Sequence, residues 1–185
     1  MKIFLFHCWG GDGNSCWSGW LSNILTKLGT QVISPDFPNS SDPNLKEWLD
    51  AISKNTNFQE FDSDWILAGH SLGCPTILRV LERLEEGKKV KAAILVAGFA
   101  KDIGIPQLKS FIDTPFDWNK IRKSAEKIIV INSDDDPFIE LSEGKRMADL
   151  LGAEFIIEHN AGHINEGSGF GPYPRLLRII QEMEQ

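Results

Sequence analysis

Three cysteines in 185 residues, none of them in a C-x-x-C pair, are too few and too scattered for a disulfide framework or a zinc knuckle. Cys8, Cys16 and Cys74 are therefore expected to be reduced thiols. Long apolar runs are missing as well: nothing approaches the roughly 18 residues of a membrane span, and IFLF after Met1 and Lys2 is too short for a signal-peptide core. A cytoplasmic protein without a membrane span is the expectation. Clustered positive charge is also absent, with 19 Lys and Arg dispersed against 26 Asp and Glu for a net charge of −7, which argues against nucleic acid and anionic membranes as partners. The glycine-rich run FHCWGGDGNSCW lacks the G-K-[ST] ending of a phosphate cradle, and no G-x-G-x-x-G occurs, so a nucleotide cofactor is not indicated. Repeats and low-complexity linkers are missing too, and residues 1–185 read as one domain.

An apolar fraction of 42% with 24% charged residues is enough for a substantial core in a chain of this length. Short β-type runs occur at 2–6, 31–34, 64–68, 91–97, 127–132 and 154–158, several of them apolar almost throughout. That continuity suits strands buried on both faces of a parallel sheet. Helical patterns lie between them. Trp17, Trp20, Leu21, Ile24, Leu25 and Leu28 repeat at helical spacing and Gly29 follows as a stop. Asp42 and Pro43 read as a cap and first residue for a second helix, and further helices fit 72–86, 140–151 and 174–184. Alternating strands and helices predict an α/β fold, a parallel sheet with helices on both faces. The segment 99–119 breaks the alternation. Its apolar residues have no single period, and it reads as a candidate cap, with Phe99, Phe111 and Phe116 as candidate substrate-pocket residues.

Between the third β-type run and a helical pattern lies Gly69-His70-Ser71-Leu72-Gly73, the G-x-S-x-G form of a nucleophile elbow. Such a turn forces the serine into a strained backbone conformation, and small flanking residues keep the turn from colliding with itself. Ser71 is the candidate nucleophile, and the backbone N–H of Leu72 would face a developing oxyanion. A serine hydroxyl needs a base, and the base needs an acid to hold its tautomer. His163, in a glycine-rich loop after the last strand, is the candidate base. The acid comes from Asp134, Asp135 or Asp136 in the loop after the preceding strand, and Asp136 is favoured because Pro137 locks the turn directly behind it. His70 reads as a support for the elbow. His159 and His163 are four apart but not on a helix, so no metal site is expected from them. The second oxyanion donor is expected in the loop after the first strand, from the N–H of Trp9 or, next, of Cys8.

HCWGG, GHSLG, SDDDPF and AGHINEGSGFGPYP, taken together over nearly the whole chain, resemble the small α/β-hydrolase family of serine hydrolases that includes retinoblastoma-binding protein nine and its bacterial relatives. The resemblance implies a reduced single-domain α/β-hydrolase fold, a six-stranded parallel sheet in the order 2-1-3-4-5-6, and a triad of Ser71, Asp136 and His163. It also implies an enzyme that cleaves a small-molecule ester, thioester or amide without a cofactor or metal. The rival reading is a binding or scaffolding protein that keeps the fold without turnover. His7-Cys8-Trp9 stands where many hydrolases have His-Gly, a departure at the oxyanion loop.

Overall fold

A computed structural model, in which the structure describes residues 1–183, resolves each apolar run into a strand of one sheet. In chain order the elements are β1 (Lys2–Phe6), α1 (Ser18–Lys27), β2 (Gln31–Ile33), α2 (Leu45–Asn55), β3 (Trp65–His70), α3 (Gly73–Leu81) and β4 (Val90–Val96). There follow α4 (Lys109–Ile112), α5 (Trp118–Lys123), β5 (Ala125–Ser133), α6 (Leu141–Leu151), β6 (Glu154–Glu158) and α7 (Pro174–Glu182). The sheet is six-stranded in the order β2-β1-β3-β4-β5-β6, and every pairing is parallel. The winding reverses between β1 and β3, which opens a crevice at their carboxyl ends.

Both faces of the sheet are buried, and the pleat sorts its side chains between them. In β1, Ile3 and Leu5 join Trp17 at the cap of α1, Leu21 and Leu25 within it, and Leu176 and Ile180 of α7. Phe4 and Phe6 point the other way, into a core shared with Trp48 of α2, Ile77 of α3 and Met147 of α6. Ile66 and Leu67 in β3, and Ile94 and Leu95 in β4, divide in the same manner. Burial of this kind stabilises by about 25 cal/mol per Å² of apolar surface and makes the central strands the rigid part of the molecule.

Helix ends differ from expectation where local hydrogen bonding decides them. α1 stops as its sequence suggests: Gly29 adopts φ +89°, and the Thr30 and Gly29 N–H groups bond back to Leu25 and Thr26 in a Schellman pair. α2 begins at Leu45 rather than behind Asp42, because the Asn44 side chain accepts the Lys46 N–H at 2.9 Å and acts as the cap. α3 ends at Leu81, short of residue 86, where Arg83 and Leu84 turn to i−3 hydrogen bonds. α7 is helical to Glu182, and the predicted end at 184 lies outside the described residues.

The irregular segment between β4 and β5 is fastened from below by two buried charged side chains. Arg79 of α3, 4% exposed, donates to the Phe111 and Thr114 carbonyls, pairs with Glu82 at 2.9 Å, and stacks its guanidinium 3.7 Å from the Phe116 ring. Glu143 of α6 accepts from the Ala100 N–H at 2.8 Å and from Arg146 at 2.7 Å. Removing one partner of such a set leaves the others unpaired in the core. Arg79→Met, which keeps the volume, is expected to lower the unfolding free energy by about 3 kcal/mol and to accelerate amide exchange over 109–123; an unchanged denaturation midpoint would show that this anchor is dispensable.

Candidate active site

At the carboxyl end of β3 the chain turns into α3 so abruptly that Ser71 takes φ +52°, a left-handed conformation that costs a residue with a side chain. The turn is held by the Ser71 N–H on the Val96 carbonyl and the Cys74 N–H on the Ser71 carbonyl, both at 2.9 Å. Glycine is required on either side. A Cβ at Gly69 would stand 2.8 Å from the backbone of Gly73, and one at Gly73 would stand 2.8 Å from the Phe6 carbonyl carbon and overlap its oxygen. The small residues of G-x-S-x-G thus let α3 press directly on β1.

The loops after β5 and β6 meet beside this turn, and three consecutive aspartates join them. Asp134 accepts from His159 and from the Asn160 N–H; Asp135 accepts from Ser133 Oγ at 2.6 Å and the Gly162 N–H at 2.7 Å. Those bonds hold both carboxyls below the usual carboxylate range, the His159 bond being the chief cause for Asp134 and the Ser133 hydroxyl for Asp135. Asp136 differs. Its side chain is fully buried, one oxygen takes the Phe138 and Ile139 N–H groups, and the other lies 2.8 Å from His163 Nδ1. A carboxylate at that distance fixes the proton on Nδ1 and leaves Nε2 as the lone-pair nitrogen.

His163 is positioned from its backbone as well. The His70 Nε2–H donates to the His163 carbonyl at 2.8 Å, so the residue before Ser71 carries the loop that bears the imidazole. His70 supports the site in this way, as its place in the motif suggested. His7, at the end of β1, has a similar role that sequence reading missed: Nδ1–H donates to the Cys8 carbonyl and Nε2 accepts the Phe37 N–H, both at 2.8 Å. Burial lowers the pKa of His7, which favours this neutral ring.

A cavity of about 220 Å³ lies over the turn, lined by Ser71, His163, His70, Cys8 and Trp9, with Ile103, Ile105, Leu108, Phe138, Ile139 and Asn165. A larger hollow over residues 39–47 is open and lined mainly by polar loop residues, without the serine or histidine. Of the predicted residues, Ser71, His163 and Trp9 border the smaller cavity, Asp136 sits behind His163, and Leu72 follows the serine. Phe99, Phe111 and Phe116 do not line it. Phe99 is fully buried, Phe111 packs edge-on against Trp48 at 5.2 Å, and Phe116 covers Arg79. Segment 99–119 does reach the cavity, through Ile103, Ile105 and Leu108, while its large rings fill the core beneath. Phe138, 61% exposed, was missed; an aromatic directly after D-D-D-P was the available signal.

The strand order, the strained serine at the β3–α3 turn and the carboxylate–imidazole pair beside it define an α/β hydrolase. The chain belongs to the serine hydrolase family, whose profile matches residues 3–182. It is 34% identical over 180 residues to YdeN of Bacillus subtilis strain 168, covering 97% of this chain and 94% of that protein. It is also 27% identical over 178 residues to the serine hydrolase RBBP9 of Rattus norvegicus, covering 94% and 90%. The crystal structure of the B. subtilis ydeN gene product superposes with a TM-score of 0.92 at 32% identity over 98% of this chain and 97% of that one. Among the described residues, no helix is long and apolar enough to cross a membrane.

Gly73→Ala tests the contact on which the turn is built. The methyl group meets backbone that cannot withdraw, so a loss of about 3 kcal/mol, at the upper end of overpacking costs, is expected in chemical denaturation; a neutral result would mean that α3 can ride away from β1.

Proposed function

We propose that this hydrolase is carboxylesterase-like, cleaving an ester, thioester or amide of a small, apolar acyl or alcohol group through an acyl-enzyme. Ser71 Oγ attacks the carbonyl carbon while His163 Nε2 takes its proton, and Asp136 stabilises the imidazolium that results. The Trp9 and Leu72 N–H groups receive the negative charge on the carbonyl oxygen. His163 then returns the proton to the leaving group, and the acyl group remains on Ser71 until water, activated by the same nitrogen, releases it. No step calls for a cofactor. The observation that carries the reading is that the strained Ser71 and the Asp136-bound His163 border one small cavity. Its apolar wall of Ile103, Ile105, Leu108 and Ile139 supports an aliphatic rather than charged group at the acyl or alcohol end.

Three residues acting on one step lose activity together, not multiplicatively. Ser71→Ala, His163→Ala and the double variant should all fall to one residual kcat on an activated short-chain ester, roughly 10⁴- to 10⁶-fold down, and Asp136→Asn should lose about 10⁴-fold. Asp134→Asn and Asp135→Asn, which join loops without touching His163, should keep most turnover per folded molecule. A fluorophosphonate probe should label the native protein and not Ser71→Ala. A double variant far slower than either single one would refute the shared step, and absence of both labelling and turnover would leave a binding protein on a hydrolase fold.

Chain-length preference tests the pocket wall. Leu108→Ala is expected to shift the best p-nitrophenyl ester towards longer acyl chains, whereas Phe111→Ala should leave that preference alone and cost about 3–5 kcal/mol of stability. The opposite pattern would restore the aromatic rings as the wall.

A further inference from the structure

One cluster bordering the cavity has side chains that the proposed reaction does not use. Cys8 Sγ, Cys16 Sγ and a ring nitrogen of His70 all lie within 4.8 Å of one another. The two sulfur atoms are 3.9 Å apart. Two thiolates bound about 2.3 Å from a tetrahedral zinc ion stand about 3.8 Å apart, so the sulfurs already have the spacing of a metal-ligand pair. A disulfide needs about 2 Å, and the pair would have to close by nearly half.

His70 supplies an independent observation. The residue is 1% exposed, and its Nε2–H is committed to the His163 carbonyl. The neutral ring therefore has its lone pair on Nδ1, and Nδ1 is buried without a hydrogen-bond partner. An unpaired buried acceptor costs stability unless something fills the position. Histidines that ligate metals usually donate their other N–H to a carbonyl or carboxylate, the arrangement His70 already has.

We propose that Cys8, Cys16 and His70 bind one thiophilic divalent cation, of which zinc is the representative, with the fourth position open to the cavity over Ser71. Two sulfurs and one imidazole nitrogen select zinc or cadmium over magnesium or calcium. The open side follows from Cys8 and His70 lining the cavity. Occupancy would place a formally neutral dithiolate metal centre beside the serine and slow the enzyme by fixing the loop that carries Trp9; this consequence alone rests on the proposed hydrolytic mechanism.

Reduced, metal-free protein titrated with Co²⁺ tests the site without reference to turnover. A thiolate-to-cobalt charge-transfer band saturating at one equivalent and displaced by Zn²⁺ is expected. Cys16→Ala, which leaves ester turnover in metal-free buffer unchanged, should abolish the band and weaken Zn²⁺ in chelator competition by more than about 100-fold, beyond the range seen for supporting residues. Zn²⁺ should raise the Tm of the wild type and not of this variant. Absence of the band, or Zn²⁺ affinity unaltered in Cys16→Ala, overturns the proposal, as does a reduced protein that surrenders Zn²⁺ to a weak chelator and only oxidises to a Cys8–Cys16 disulfide. A cobalt band in a protein that no fluorophosphonate labels would retain the metal site and discard the hydrolytic reading.

Discussion

Where the chain leaves β3 and enters α3, helix and sheet approach so closely that even one methyl group at Gly73 would overlap the Phe6 carbonyl. That approach dictates the positive φ of Ser71, since no relaxed turn joins the two elements at this distance. The strain is held because both ends of the turn are buried: β3 lies between β1 and β4, and α3 is buried along its length. A serine on a mobile loop could reach the same place only part of the time. Rigid elements hold it there continuously.

A second consequence is that Ser71, Asp136 and His163 stand in the loops after three different strands, and these loops are tied together by hydrogen bonds. The His70 ring links the elbow to the His163 carbonyl, and the aspartates link the loop after β5 to the one after β6. The segment between β4 and β5 is joined to α3 and α6 through Arg79 and Glu143. The buried members of this set, His70, Arg79, Glu143 and the Asp136 carboxylate, specify one arrangement because each alternative leaves a donor or acceptor unpaired.

Much of this was legible before any coordinates. Apolar runs on two buried faces and the Trp17–Leu28 periodicity are strong signals, and β1 and β6 fall on their predicted residues. The meeting of the loops after β5 and β6 was legible too, since strand ends in a parallel sheet point their loops to one edge, and His163 and Asp136 lie 2.8 Å apart there. The pocket wall was not. Phe111 and Phe116 looked like lining because they are aromatic in an aperiodic segment, but a large ring gains more by filling the core under Arg79 and beside Trp48. Nor could the start of α2 be read correctly, since Asp42 and Asn44 are both good caps and only the backbone decides between them. The meeting of Cys8 and Cys16 with His70 joins residues from distant parts of the chain, and no local pattern announces it.

The three adjacent aspartates after β5 make their contacts in step, Asp134 with residues 159 and 160, Asp135 with 162, and Asp136 with 163. Because each reads a successive position on the facing loop, the two segments are matched in length as well as in chemistry. A single inserted or deleted residue in either would put every carboxylate opposite the wrong partner at once. Point substitutions here can be absorbed one bond at a time. Changes in loop length cannot, and among descendants of this chain the span from Ser133 to His163 should drift in composition within α6 and β6 while these two loops keep their residue count.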